Sequence, residues 1–180
     1  MSAGDADRNE RTIRRLYEAL DRHDGEAMAA LYAPDAEFSD PVFPALRGGQ
    51  VGDMWRMLTE RATDLRVEVP EVKADAEAGA AIWIARYTFG PTGRAVTNRV
   101  RSDFRFSEDG LIARQRDDFS FWAWSRQALG PIGLVLGGTP LVRGRVQRNA
   151  AVDLTRFPDF GEVAKRFRPS ALVPYTYEGG

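Results

Sequence analysis

The chain has 180 residues, 43% hydrophobic and 28% charged, with a formal net charge of −1, which excludes a disordered polyelectrolyte and a nucleic-acid binder recruited by gross charge. This length suffices for one substantial core and is marginal for two, so one domain with appendages is expected. Cysteine is absent, so disulfides, thiolate nucleophiles and cysteine-ligated metals within the chain are excluded.

The opening residues MSAGDADRNERTIRR are polar and carry no apolar core of a secretory signal, so a cytoplasmic protein is expected. From Asn9 to Asp21, Ile13, Leu16, Tyr17 and Leu20 form a helical stripe. HDGE ends that helix, and Ala27–Tyr32 (AMAALY) predicts a second, short one stopped before Pro34. Phe38 then lies in a short extended segment that runs into a loop punctuated by Pro41, Pro44 and the Gly48–Gly49 pair. Val51, Met54, Trp55 and Leu58 predict a third helix over 51–62.

Leu65, Val67 and Val69 alternate with charges, as a half-buried strand does. Ala80–Phe89 and Val96–Ser107 predict two long strands joined by the turn GPTG, and SEDG leads into a third over Leu111–Trp122. The expected fold class is therefore α+β, with helices covering one face of a curved antiparallel sheet. Trp124–Leu129 reads as helix, and Thr139–Pro140 opens a basic amphipathic helix over 141–157.

The apolar stretch Ala128–Gly138, about half a bilayer span and interrupted by Pro131 and four glycines, predicts no membrane helix. It is expected to lid a pocket or pack across a dimer, ahead of any peripheral membrane contact. His23, the single histidine, sits in a polar turn, and no phosphate-binding glycine loop is present, so neither a metal nor an organic cofactor is expected.

The run IRRLYEALDRHDGEAMAALYAPDAEFSDP, the strand pair and FRFSEDGLI together resemble the ketosteroid isomerase, SnoaL-like and nuclear transport factor 2 (NTF2-like) superfamily over residues 9–122. The resemblance implies a cone-shaped domain with a curved sheet and N-terminal helices enclosing a hydrophobic pocket. Around it would lie a flexible 1–8 segment, a helical extension at 123–157 and a tail at 158–180. The region from Phe121 onward looks like an extension found in a bacterial SnoaL-like subgroup.

Residue by residue, the resemblance puts Asp40 where ketosteroid isomerases keep their proton-moving aspartate, and Asp117 where SnoaL-like cyclases keep their catalytic acid. The family's oxyanion tyrosine falls on Leu16, with Tyr17 one place off, and its protonated aspartic acid falls on Ser102. The expected catalytic residues are thus Asp117 and Asp40. The expected substrate-binding residues are Tyr17, Trp55, Arg86, Asn98, Ser102, Gln115 and Phe119.

Each assignment has a plainer alternative. Asp40 before Pro41 shapes turns, and Asp117 could pair with Arg86, Arg99 or Arg116. On the second strand, the face of Trp83, Ala85 and Tyr87 and the face of Ile82, Ile84 and Arg86 remain rival pocket linings. The functional expectation is a cofactor-independent isomerase or cyclase, moving protons on a hydrophobic carbonyl compound such as a polyketide, terpenoid or steroid-like molecule. The alternative is a non-catalytic ligand-binding or dimeric assembly protein. A homodimer is expected and a nucleic-acid partner is not.

Overall fold

The structure, a computed structural model, describes residues 3–131 and 139–154. Helix α1 (Ala3–Asp21) starts before Asn9, so residues 3–8, expected as part of a flexible segment, belong to it. It buries Ile13, Leu16, Tyr17 and Leu20 against the sheet, and Asn9 Nδ2 ties it to the carbonyls of Asp75 and Ala76 at 2.9 and 3.1 Å. His23 turns the chain in the left-handed region (φ 59°), and the Asp24 carboxylate caps α2 (Gly25–Ala29) by accepting from Ala27 N.

Helix α2 ends at Ala29, so Tyr32 opens strand β1 (Tyr32–Ser39) and is not helical. A two-residue strand β2 (Leu46–Arg47) precedes α3 (Gly49–Arg61). The α2–α3 contact is made at Gly25, where an added Cβ would stand 2.7 Å from the Arg56 Cα and 2.6 Å from Thr59 Oγ1. Backbone on one side of that contact cannot yield. Gly25→Ala is expected to cost about 1–3 kcal/mol, read as a lowered denaturant midpoint; an unchanged midpoint would contradict the packing.

Strands β3 (Arg66–Ala74), β4 (Ala78–Phe89), β5 (Arg94–Phe106) and β6 (Ile112–Asp118) form an antiparallel meander. The six-stranded order is β2-β1-β6-β5-β4-β3, and β1 joins β6 in parallel, reached through the whole intervening chain rather than a hairpin. The β3–β4 register shifts between Glu68 and Glu71, where Pro70 lacks an N–H for the ladder, and such bulges bend an edge strand. The main core lies between this curved sheet and α1 and α3.

Strand β6 stops at Asp118, short of the expected Trp122. Ser120 accepts from Ala123 N and caps α4 (Phe121–Leu129), whose Phe121, Trp124 and Ala128 are buried in one stripe. With Val96, these residues form a second cluster that also takes in Val42, Tyr87, Phe119 and, from α5 (Pro140–Leu154), Val142 and Val146. Gln147 Nε2 donates to Pro41 O at 3.0 Å, fastening α5 over the 40–45 loop. Most of the apolar stretch at 128–138 and the whole 158–180 tail lie outside the described residues. Among the described helices none is long and apolar enough to cross a membrane.

Candidate active site

Directly paired residues of an antiparallel ladder share a face. Ser102 pairs with Asp117 and Phe104 with Gln115, while Trp83 pairs with Val100 and Ala85 with Asn98. The inward face of β5 (Val96, Asn98, Val100, Ser102, Phe104) thus continues into Trp83 and Ala85 on one side and Gln115 and Asp117 on the other. Trp83 faces the interior. Arg86, expected as a substrate ligand, therefore stands on the outer face, exposed and 2.6 Å from Glu68 Oε1.

The pairing of Asp117 with an arginine fails for the same reason, since Arg86, Arg99 and Arg116 are exposed on the outer face. Asp117 is only 5% exposed, and its partners are neutral. Ser102 Oγ donates to Asp117 Oδ1 at 2.5 Å, and Gln115 Nε2 donates to the same oxygen at 2.8 Å. Ser102 Oγ in turn accepts from Tyr17 O–H at 2.6 Å and Trp83 Nε1 at 2.9 Å. Gln115 Oε1 accepts from Tyr32 O–H at 2.5 Å, and the Tyr32 oxygen accepts from Trp55 Nε1 at 2.8 Å. Six side chains thus surround one carboxyl.

Burial pushes Asp117 up to about 7; the Ser102 and Gln115 donors pull the other way, and the negative charges of Asp40 and Asp103 add a smaller push upward. Tyr17 and Tyr32 are driven well above the usual phenol range by burial and by the Asp117 charge, so both remain neutral donors.

Asp40 is close enough for its charge to act on Asp117, but its own role is partly structural. Its Oδ1 accepts from Val42 N at 2.6 Å and Phe43 N at 2.5 Å, and its backbone N–H donates to Phe43 O, closing the 40–43 turn. Burial raises it to about 7 against those two N–H donors. Asp40 is half-buried, so water moderates its rise more than that of Asp117.

Of the other expected ligands, Tyr17, Ser102, Gln115 and Trp55 meet in this network. Asn98 is half-buried on the same face of β5 but outside the network, and Phe119 packs against both apolar clusters just beyond β6. Tyr32 and Trp83 were not among the expected site residues. Four aromatic side chains, Tyr17, Tyr32, Trp55 and Trp83, are buried in the network around Asp117. Among the described residues, a surface hollow of about 210 Å³ is lined by Tyr32, Pro34, Gly48 and Arg56, and another of about 470 Å³ by His23, Glu26 and Glu60. Neither reaches Asp117 or Asp40.

Comparison with known proteins gives a consistent fold. The family described as SnoaL-like domain matches residues 13–115, more than half of the chain, and the chain belongs to that family. No curated protein matches the sequence significantly. Among solved structures, an LEH-like epoxide hydrolase of M. tuberculosis is 23% identical with a TM-score of 0.60, covering 73% of this chain and 97% of its own. An NTF2-like protein of unknown function from Burkholderia pseudomallei is 23% identical with a TM-score of 0.60, covering 71% and 98%. The epoxide hydrolase/cyclase-like enzyme SalBIII, of pyran ring formation in the polyether salinomycin, is 15% identical with a TM-score of 0.55, covering 62% and 90%.

Proposed function

We propose that this member of the SnoaL-like family is a cofactor-independent acid–base enzyme of isomerase or cyclase type, with Asp117 as its proton carrier. The observation that carries this reading is one enclosed carboxyl, with neutral donors on one oxygen, lifted to about 7. A group titrating there is half protonated at neutral pH and serves as acid in one step and base in the next. Protonated Asp117 would give its proton to a carbonyl or ring oxygen as negative charge develops on it. The carboxylate left behind would take a proton from the carbon or hydroxyl that supplies electrons, restoring the acid. The negative charge of Asp40 would add a smaller contribution to the proton affinity that burial gives Asp117.

The apolar interior suits a hydrophobic carbonyl compound of polyketide, terpenoid or steroid-like character, and the epoxide-opening and ring-forming activities of similarly folded enzymes suit the same acid–base chemistry. Substrate would enter by displacing side chains of the second cluster, where Phe119 joins both cores. The test is conversion of a panel of hydrophobic enones, aldehydes and epoxides by the protein and by Asp117→Asn. Conversion lost in the variant supports the reading, and conversion at the parental rate overturns it.

A second reading, a binding or assembly protein without turnover, is favoured by the four buried aromatics around Asp117 and by two hollows whose linings include neither aspartate. Under either reading we place the protein in the cytoplasm as a homodimer. The outer sheet face offers half-buried Ile82 and Ile84 among Arg99, Arg101 and Asp103, an apolar centre with charges of both signs around it. Ile84→Asp is expected to convert a dimer to a monomer in light scattering; a monomeric parent, or a variant that stays dimeric, would contradict this face.

A further inference from the structure

We propose that Asp117 reacts through Oδ2 alone, because two hydrogen-bond chains of fixed direction, one through Ser102 and one through Gln115, both end as donors on Oδ1. The inference rests on the reading of Asp117 as a proton carrier and specifies which atom carries the proton.

Direction is fixed at the far ends of the chains. An indole N–H is a donor only, and a hydroxyl has one proton to give and two lone pairs to fill. Trp83 Nε1 and Tyr17 O–H fill both lone pairs of Ser102, so the Ser102 proton points to Asp117 Oδ1. Reversing this chain would have Oδ1–H donate to Ser102 and Ser102 donate to Tyr17. The Tyr17 proton would then be stranded, because the buried Tyr17 hydroxyl has no other hydrogen-bond partner among the described residues.

The second chain has the same sense. Trp55 Nε1 donates to the Tyr32 oxygen, which turns the Tyr32 proton to Gln115 Oε1 and so places the Gln115 amide N–H on Asp117 Oδ1. A proton on Oδ1 donated to Gln115 would need the amide flipped, presenting its NH₂ to Tyr32 and stranding the Tyr32 proton. A proton on Oδ1 can be donated to only one of the two chains, so it strands one buried donor, the Tyr17 or the Tyr32 proton, whereas protonation of Oδ2 strands none. Oδ2 takes no hydrogen bond among the described residues and is the atom left to meet a substrate.

Ser102 and Gln115 are on this view positioning residues, and Tyr17, Tyr32, Trp55 and Trp83 hold their direction. Ser102, expected as a substrate ligand, has no hydrogen-bonding capacity left for one.

Infrared difference spectroscopy between acid and alkaline pH, on protein carrying ¹³C at its aspartate carboxyls, reads the proton's position. The Asp117 band is the one missing from Asp117→Asn. With the proton on Oδ2, the carbonyl is Oδ1 and its stretch is lowered by two hydrogen bonds. The expected result is a band at the frequency of a doubly bonded carbonyl, moving upward in Ser102→Ala as one donor is lost. A band at the frequency of a carbonyl without hydrogen bonds, or one unmoved in folded Ser102→Ala, would overturn the proposal. The parent band alone decides if Ser102→Ala fails to fold. The absence of any protonated Asp117 band at pH 5 would overturn the proton-carrier reading and this inference with it, whereas a free-carbonyl band would overturn this inference only.

Discussion

Asp117→Asn is expected to fold as the parent does, to lose turnover by roughly 10²–10⁴-fold, and to melt above the parent at pH 8. The amide oxygen takes the place of Oδ1 and keeps the Ser102 and Gln115 donors, so the network survives while the transferable proton does not. The stability gain follows from linkage. Asp117 binds its proton up to about 7 when folded but only to about 4 when unfolded, so between those pH values the native state holds more protons.

Stability of the parent therefore falls as pH rises through that window, and the full penalty of ionising a buried carboxyl is present above it. For a shift of this size the penalty is on the order of 4 kcal/mol, which Asn does not incur. Below pH 4 parent and variant should melt alike, and at pH 8 the variant should melt several degrees higher. A parent whose melting temperature is flat from pH 5 to pH 8, or a variant that melts lower at pH 8, would contradict an enclosed, unpaired carboxyl.

Trp55→Ala is expected to cost about 3–5 kcal/mol, the loss typical of an aromatic removed from a core. Trp55 is 3% exposed, packs edge-to-face on Phe38 at 5.6 Å, and supplies the N–H that orients Tyr32. Its removal leaves a void between α3 and β1 and deprives the Tyr32 oxygen of its donor. Trp55→Phe fills most of that space without the N–H, and should lose nearer 1 kcal/mol. Equal losses in the two variants would assign the effect to the hydrogen bond, and a loss under about 1 kcal/mol in Trp55→Ala would contradict the packing.

The meander was legible because β-branched and aromatic runs bounded by GPTG and SEDG leave few other folds, and the inward face of β5 follows from simple alternation. Asp117, Ser102 and Gln115 come from that alternation together with the family resemblance. The face of β4 was not legible, because Trp83 with Ala85 and Ile82 with Ile84 are both apolar. Only the pairing of Trp83 with Val100 turns Arg86 outward.

Tyr32 was hidden because AMAALY has helical composition, while the carbonyl of Leu31 instead accepts from Ile112 N at the head of β6, drawing the segment into the sheet. Tyr17 was placed one position from the family's oxyanion tyrosine, yet α1 buries a stripe wide enough to include both Leu16 and Tyr17, and the Tyr17 hydroxyl reaches Ser102. The start of α4 was missed because FWAW reads as strand until Ser120 is seen as a cap.

The most direct test of the central claim is a titration of the Asp117 side-chain carboxyl carbon by ¹³C NMR, assigned against Asp117→Asn. A midpoint near 7 is the result expected of a proton carrier held by neutral donors inside an apolar core. A midpoint at or below the ordinary aspartate value of about 4 would show a carboxylate that stays ionised at neutral pH, and would remove Asp117 from the proposed chemistry.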